Sequence, residues 1–222
     1  MQPSHHPSYE TLLDYATGNL PLAPSIIVAV HCSICKECRD TLNTIDIAGA
    51  ALMEELNAEE LEFNSLDHVL SKLDNNFDNS NDKEQVNYFN NNYFDFKIPK
   101  SLEFYMPNSL NWKNLSSGVK TAEIVSDDGF NLDIYKIISG YKIPKHTHTG
   151  FEYTMVLDGG FTDNQKYFGP GDFSLLDNST NHSPLADSDK DCFCIVSMNS
   201  QIKLTGTLGR LFNLIFSGEE HK

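Results

Sequence analysis

Basic residues are scarce in this 222-residue chain: 16 Lys and Arg stand against 31 Asp and Glu, a formal charge of −15. Gripping a phosphate backbone takes facing positive charge, so direct binding of DNA or RNA is not expected. No stretch approaches the ~18 consecutive apolar residues of a membrane span, and no basic segment followed by an apolar one opens the chain. The expected compartment is therefore the cytoplasm. Cysteine is sparse and odd in number, at five. Three of the five crowd into HCSICKEC, which in a reducing compartment reads as metal binding rather than a disulfide framework. What is present in quantity is core material: 40% hydrophobic and 11% aromatic residues, enough for a folded protein of one large or two small domains.

The pattern divides the chain. Residues 1–75 hold twelve Asp and Glu against three Lys and Arg and read as helical. Ser8 is placed to cap a helix carrying Leu12, Leu13 and Ala16 that Gly18 ends. A second helix covers Ala23 to Cys32. A third opens at about Cys35 with Leu42, Ile45, Ala48 or Gly49, and Leu52 on one stripe and Leu56 a turn further. A fourth, near Asn64 to Asp74, spaces Leu66, Val69, Leu70 and Leu73 at i, i+3, i+4, i+7. Residues 76–97 form an Asn-rich linker whose last aromatics, Tyr88, Phe89, Tyr93 and Phe94, are placed to pack on the second domain. Over 98–222 the period becomes two: LEFYM, VKTAEIV, FNLDIYKII, FEYTMVL, DFSLL, CFCIVSMN and RLFNLIF read as short strands of a sandwich or small barrel.

Within the helical part, His31, Cys35 and Cys38 supply three ligands of the kind zinc prefers, and a structural site needs four. On one continuous helix, His31 and Cys35 share a face with Cys38 a turn on; with a tight turn near Ser33 and Ile34, the cysteines open the third helix instead. Either way the fourth ligand comes from outside the motif, and the nearest candidate is the pair His5–His6. No βαβ pattern surrounds the cysteines, which argues against thioredoxin-like redox chemistry. Cys32 is off phase and reads as packing.

In the strand-rich part, Gly140, His146, His148, Glu152 and Gly159 follow G-x5-H-x-H-x3-E-x6-G, which resembles the first motif of the cupin family of small β-barrels. His146 and His148 alternate along one strand, so both imidazoles point the same way. GPGDFSLLDNSTNHSP resembles the second half-motif and supplies His182 as fourth ligand, although the polar run Asp177–Asn181 stands where cupins often carry proline. Three histidines and a glutamate suit zinc, iron, manganese or nickel. Cys192 and Cys194, two apart on an expected strand, face one side, either as core or as thiols oxidisable near the metal.

Taken together, HPSYETLLDYATGNL, HCSICKEC, the GYKIPKHTHTGFEYTMVLDGGF segment and the DCFC pair resemble the ChrR-type zinc-binding anti-sigma factors over nearly the whole chain. The resemblance implies an α+β protein of two domains, a small N-terminal zinc-bound helical bundle followed by a C-terminal cupin β-barrel. It implies front zinc ligands at His6, His31, Cys35 and Cys38, with one Zn2+ there. In the barrel it implies one Zn2+ or other divalent metal on His146, His148, Glu152 and His182. It implies that the partner is an ECF-type sigma factor, sequestered by the front domain and released on an oxidative signal, singlet oxygen or a hydroperoxide-like oxidant, that requires the barrel. Leu66, Val69, Leu70 and Leu73 are then candidate docking residues, and Cys192 and Cys194 candidate redox residues. The expectation is a regulator and not an enzyme. The alternative is a metal-dependent cupin enzyme, a dioxygenase or isomerase, with a helical regulatory module.

Overall fold

The computed structural model describes residues 2–57, 64–75, 94–127, 129–199 and 202–204. Most of the Asn-rich segment, with Tyr88, Phe89 and Tyr93, and the expected strand RLFNLIF lie outside them. The helical front comprises α1 (Tyr9–Ala16), α2 (Leu22–Ile34), α3 (Lys36–Glu54) and α4 (Ser65–Asn75). Ser8 caps α1 by accepting the Thr11 N–H at 3.2 Å, and the N–H of Thr17 returns to the Leu13 carbonyl at 2.9 Å. Ala23, Ile26, Ile27, Val28, Val30 and His31 are all buried on α2. A helix apolar on nearly every side belongs in an interior, and α2 packs against α1, α3 and the sheet behind it.

The break between α2 and α3 falls at Cys35, which is extended (φ −91°, ψ 111°), a residue beyond the turn expected near Ser33 and Ile34. The α3 stripe buries only its first part: Ile45 is covered, whereas Leu52 and Leu56 are 72% and 70% exposed. Length explains this, since α3 has 19 residues and α2 13, an overhang of about 9 Å at 1.5 Å per residue.

LEFYM, expected as a strand, instead begins in the short helix α5 (Lys100–Glu103) and continues as a turn. Pro99 (φ −58°) starts it, and the buried residues Leu102 and Met106 are four apart, which is a helical spacing that also satisfies a period of two. Ahead of α5, Phe94 and Phe96 pack with Phe193, ring centroids 5.6 and 5.1 Å away.

Eleven strands complete the described residues: β1 (Lys113–Ser116), β2 (Val119–Asp127), β3 (Phe130–Ile137), β4 (His146–His148), β5 (Glu152–Asp158), β6 (Phe161–Asp163), β7 (Lys166–Phe168), β8 (Phe173–Leu176), β9 (Leu185–Ala186), β10 (Cys192–Met198) and β11 (Ile202–Leu204). All pairings are antiparallel, in sheets ordered β1-β2-β3-β10-β5-β8, β7-β6-β9 and β11-β4. The six-stranded sheet is covered on both faces. Leu132, Ile134, Met155 and Ile195 join Ile26, Ile27 and Val30 in one core, while Val156, Cys192, Cys194 and Val196 face Phe161 and Ala186 in a second. Two-sided burial is why CFCIVSM reads as a continuous apolar run with little polar alternation. At the end of β5, Gly159 has φ +69°, and a Cβ there would lie 2.3 Å from the Asp191 carbonyl oxygen; only glycine fits.

Candidate metal centres

Two groups of ligand-type side chains converge, His6–His31–Cys35–Cys38 and His146–His148–Glu152–His182, each with its ligand atoms within 4.8 Å of one another. The first forms where the N-terminal tail crosses the α2–α3 break. His31 lies in the last turn of α2, Cys35 is the linking residue and Cys38 sits in the first turn of α3. His6 Nδ1 is 3.3 Å from Cys35 Sγ and 3.6 Å from Cys38 Sγ, and His31 Nε2 is 3.3 Å from Cys38 Sγ. His31 Nδ1 donates to the Gly171 carbonyl at 2.9 Å, the tautomer that leaves Nε2 as the free lone pair.

His5, the other half of the pair, turns away. Its Nε2 lies 2.9 Å from the Tyr167 carbonyl oxygen and its ring packs on Phe168 at 4.4 Å. Burial lowers the pKa of His31 despite the Gly171 carbonyl. Burial, and then the hydrogen bond and charge of Cys35, push the Cys38 thiol well up. Two buried thiols and two imidazoles in contact are a soft donor set that fits a zinc-like cation. Cys32 is not part of this group: its carbonyl accepts from Arg39 Nη1 at 2.7 Å, and burial and Cys35 raise its thiol to about 11, with Arg39 opposing.

The second group closes the mouth of the barrel. His146 and His182 face each other through reciprocal backbone hydrogen bonds, both 3.0 Å. His148 alternates with His146 along β4, and Glu152 opens β5. His148 Nε2 lies 2.9 Å from His182 Nε2 and 3.0 Å from Glu152 Oε2. Two imidazole nitrogens and a carboxylate oxygen aimed at one buried point suit a cation better than a shared proton. Burial, then the neighbouring imidazoles, lower His148 to about 4; burial and His182 lower His146. Both rings are neutral at neutral pH, the form in which an imidazole can take a cation. Burial raises Glu152.

Each ring has a fixed outer side as well. His146 Nδ1 donates to the Pro144 carbonyl at 2.8 Å and His182 Nδ1 to Asp163 Oδ2 at 3.0 Å. Asp163 is buried; burial favours its protonation, but the hydrogen bond and charge of His182 and the Ser183 N–H together hold it below the usual carboxylate range. Sequence reasoning did not find Asp163, because a lone aspartate on a three-residue strand carries no spacing signal. Cys192 and Cys194 point into the barrel with Sγ atoms 3.5 Å apart. The hydrogen bond between the two thiols, then burial, raise the Cys194 thiol. On α4, Leu66, Val69 and Leu70 are 67%, 54% and 47% exposed; the Leu73 side chain lies outside the described residues.

Residues 102–201 match the family model described as the ChrR cupin-like domain. Over 215 residues, 96% of this chain and 97% of the relative, the sequence is 31% identical to anti-sigma-E factor ChrR of Cereibacter sphaeroides. This chain belongs to the ChrR family of anti-sigma factors. The crystal structure of Rhodobacter sphaeroides SigE in complex with the anti-sigma ChrR is similar as well, at TM-score 0.73 and 30% identity over 89% of this chain and 100% of that one. The similarity to ChrR spans both halves of the molecule, the helices and the cupin barrel. Among the described residues no helix is long and apolar enough to cross a membrane.

Proposed function

We propose that this chain is a negative regulator of transcription that sequesters an ECF-type sigma factor in the cytoplasm through its helical front. On this reading both quartets hold metal, zinc in the front one and zinc or another divalent cation in the barrel, and an oxidant acting through the barrel releases the sigma factor. The observation that carries it is similarity to ChrR along 96% of the chain, reinforced by a relative whose crystal structure is a complex with SigE.

The surface suits that role. The far part of α3, the turn after it and α4 carry Ile47, Leu52, Met53, Leu56, Leu66, Val69 and Leu70 exposed, apolar rows of the kind a partner covers. The twelve acids against three bases of residues 1–75 complement the basic surfaces with which a sigma factor meets DNA, and steer the encounter.

When bound, zinc would cross-link the tail, the end of α2 and the start of α3 through four protein ligands. The chain's own residues prepare this: Cys35 breaks the helix so that both thiols turn inward, and His31 is held in the tautomer that presents Nε2. In the barrel, Asp163 and the Pro144 carbonyl hold two imidazoles by their outer nitrogens. Cys192 and Cys194, with Sγ atoms 3.5 Å apart inside the barrel, are the oxidisable groups on this reading. With a hydroperoxide, two thiols would give one disulfide, the peroxide oxygens leaving as an alcohol and water.

The test is co-purification of the zinc-loaded full chain with an ECF sigma factor of the same genome, followed by sigma-dependent transcription in vitro. A one-to-one complex that lowers the transcript, and restores it after oxidant treatment, is expected. Absence of a complex with metal-replete protein overturns sequestration; a complex indifferent to oxidants overturns the signal.

A further inference from the structure

One turn of the barrel reaches into the front quartet. Between β7 and β8 the chain reads GPGD, and Gly171 offers its carbonyl to His31 Nδ1 at 2.9 Å. The next residue, Asp172, is buried and accepts on Oδ1 from the N–H groups of Ser4 at 2.6 Å and His5 at 3.0 Å. The Ser4 hydroxyl lies 3.2 Å from both carboxylate oxygens. Phe173 N–H then donates to the His5 carbonyl at 3.0 Å, so the tail adds onto the start of β8. His5 pins the same segment through Tyr167 and Phe168. The close approach is built in: Gly171 has φ +91°, and a Cβ there would lie 2.9 Å from Ile34 Cδ1 and 3.0 Å from Pro3 Cγ.

The turn is itself held rigidly. Gly169 N–H donates to Asp172 Oδ2 at 2.8 Å. Gly171 N–H donates to the Val156 carbonyl at 2.8 Å, and Val156 N–H returns to the Asp172 carbonyl at 3.1 Å. Val156 belongs to β5, the strand that opens with Glu152 of the barrel quartet.

We propose that the Gly171–Asp172 turn is a working part of the front metal centre. Asp172 positions His6 by clamping the two residues before it, and the Gly171 carbonyl positions His31 so that Nε2 meets Cys38. Two of the four ligands are thereby set by the barrel, and only the two cysteines by the α2–α3 break. The front centre is pre-organised before metal arrives, which strengthens binding by removing the need to order a free tail. The same turn joins β5 to the front centre, so a rearrangement of the barrel strand has a direct path to the front ligands.

The inference rests on the front quartet holding a metal, and the experiment separates the two claims. Full-length wild type, Asp172→Ala, Gly171→Ala and His5→Ala are titrated with cobalt(II), whose thiolate charge-transfer band reports only the cysteine-bearing site; zinc competition then gives affinity. Asp172→Ala and Gly171→Ala are expected to weaken the front site about 10- to 100-fold, and His5→Ala several-fold, with a changed band shape in the first two. Barrel metal content and the strand signal in circular dichroism stay at wild-type values. A folded Asp172→Ala protein that binds within twofold of wild type overturns the proposal. Should that variant fail to fold, Gly171→Ala decides, since its Cβ would press on Ile34 and Pro3 and shift the carbonyl that holds His31: unchanged affinity there overturns the proposal equally. A wild type with no thiolate band overturns the metal reading itself, a result distinct from the other two.

Discussion

Aspartates 163 and 172 do the same work at the two centres, each gripping a group that presents a ligand. Asp163 accepts from His182 Nδ1, fixing the ring so that Nε2 faces His148. Asp163→Asn should weaken metal at the barrel about 10- to 100-fold while the front site keeps its affinity, as chelator competition with metal analysis would show. Equal loss at both sites would instead mark a general destabilisation. Burial raises the Cys32 thiol to about 11 and lifts Cys38 as well. Cys32 is then roughly one part in a thousand thiolate at pH 8, so iodoacetamide should label it far more slowly than a free thiol once metal is removed. Three positions of each candidate quartet were legible in sequence because their spacing is local, and His182 through the second half-motif. Choosing His6 over His5 was not, since the choice is made by Tyr167 and Phe168, over 160 residues away.

Among the elements, α2 is the one that ties the architecture together, being buried between α3 and the outer face of the six-stranded sheet. Ile27 is fully buried there. Ile27→Ala should cost about 2–5 kcal/mol in urea unfolding, against a fraction of that for an alanine at exposed Ile47. On α4, whose apolar row stands in solvent, Val69→Glu should leave the melting temperature unchanged and weaken sigma-factor binding at least tenfold; wild-type affinity would remove α4 from the interface. Periodicity identified α4 because it reports an apolar face, whereas α2 was read from its continuous apolar run. Neither signal could say that α2 meets strands, nor that α3 overhangs its partner. LEFYM shows the same limit, since Leu102 and Met106 satisfy either period and Pro99 decided between them.

Among the described residues, the N-terminal tail and the barrel share a hydrogen-bonded seam, and α1, α2, α3 and α5 share a core with the six-stranded sheet. That seam is pH-sensitive in a defined direction. Burial favours protonation of Asp172, but the N–H groups of Gly169, Ser4 and His5 outweigh it and hold its carboxyl below the usual range. A carboxylate with a lowered folded-state pKa contributes its full stability above its unfolded value, about 3.9, and loses it as pH falls through the folded value. Acid unfolding of the wild type should therefore steepen below about pH 4, and Asp172→Asn should flatten it, as fluorescence of Trp112 would record. The seam was invisible in sequence: Ser4 and Asp172 are 168 positions apart, and GPGD carries no spacing signal pointing at the tail.

The central claim is that a metal-bound front holds the sigma factor while the barrel governs release. It is tested most directly by measuring sigma-factor affinity for Cys35→Ser/Cys38→Ser beside His146→Ala/His148→Ala, each with its metal content. The first is predicted to lose one zinc and its partner together, and the second to lose only the barrel metal and bind as wild type. A front variant that still binds the sigma factor, or a barrel variant that no longer does, would contradict it.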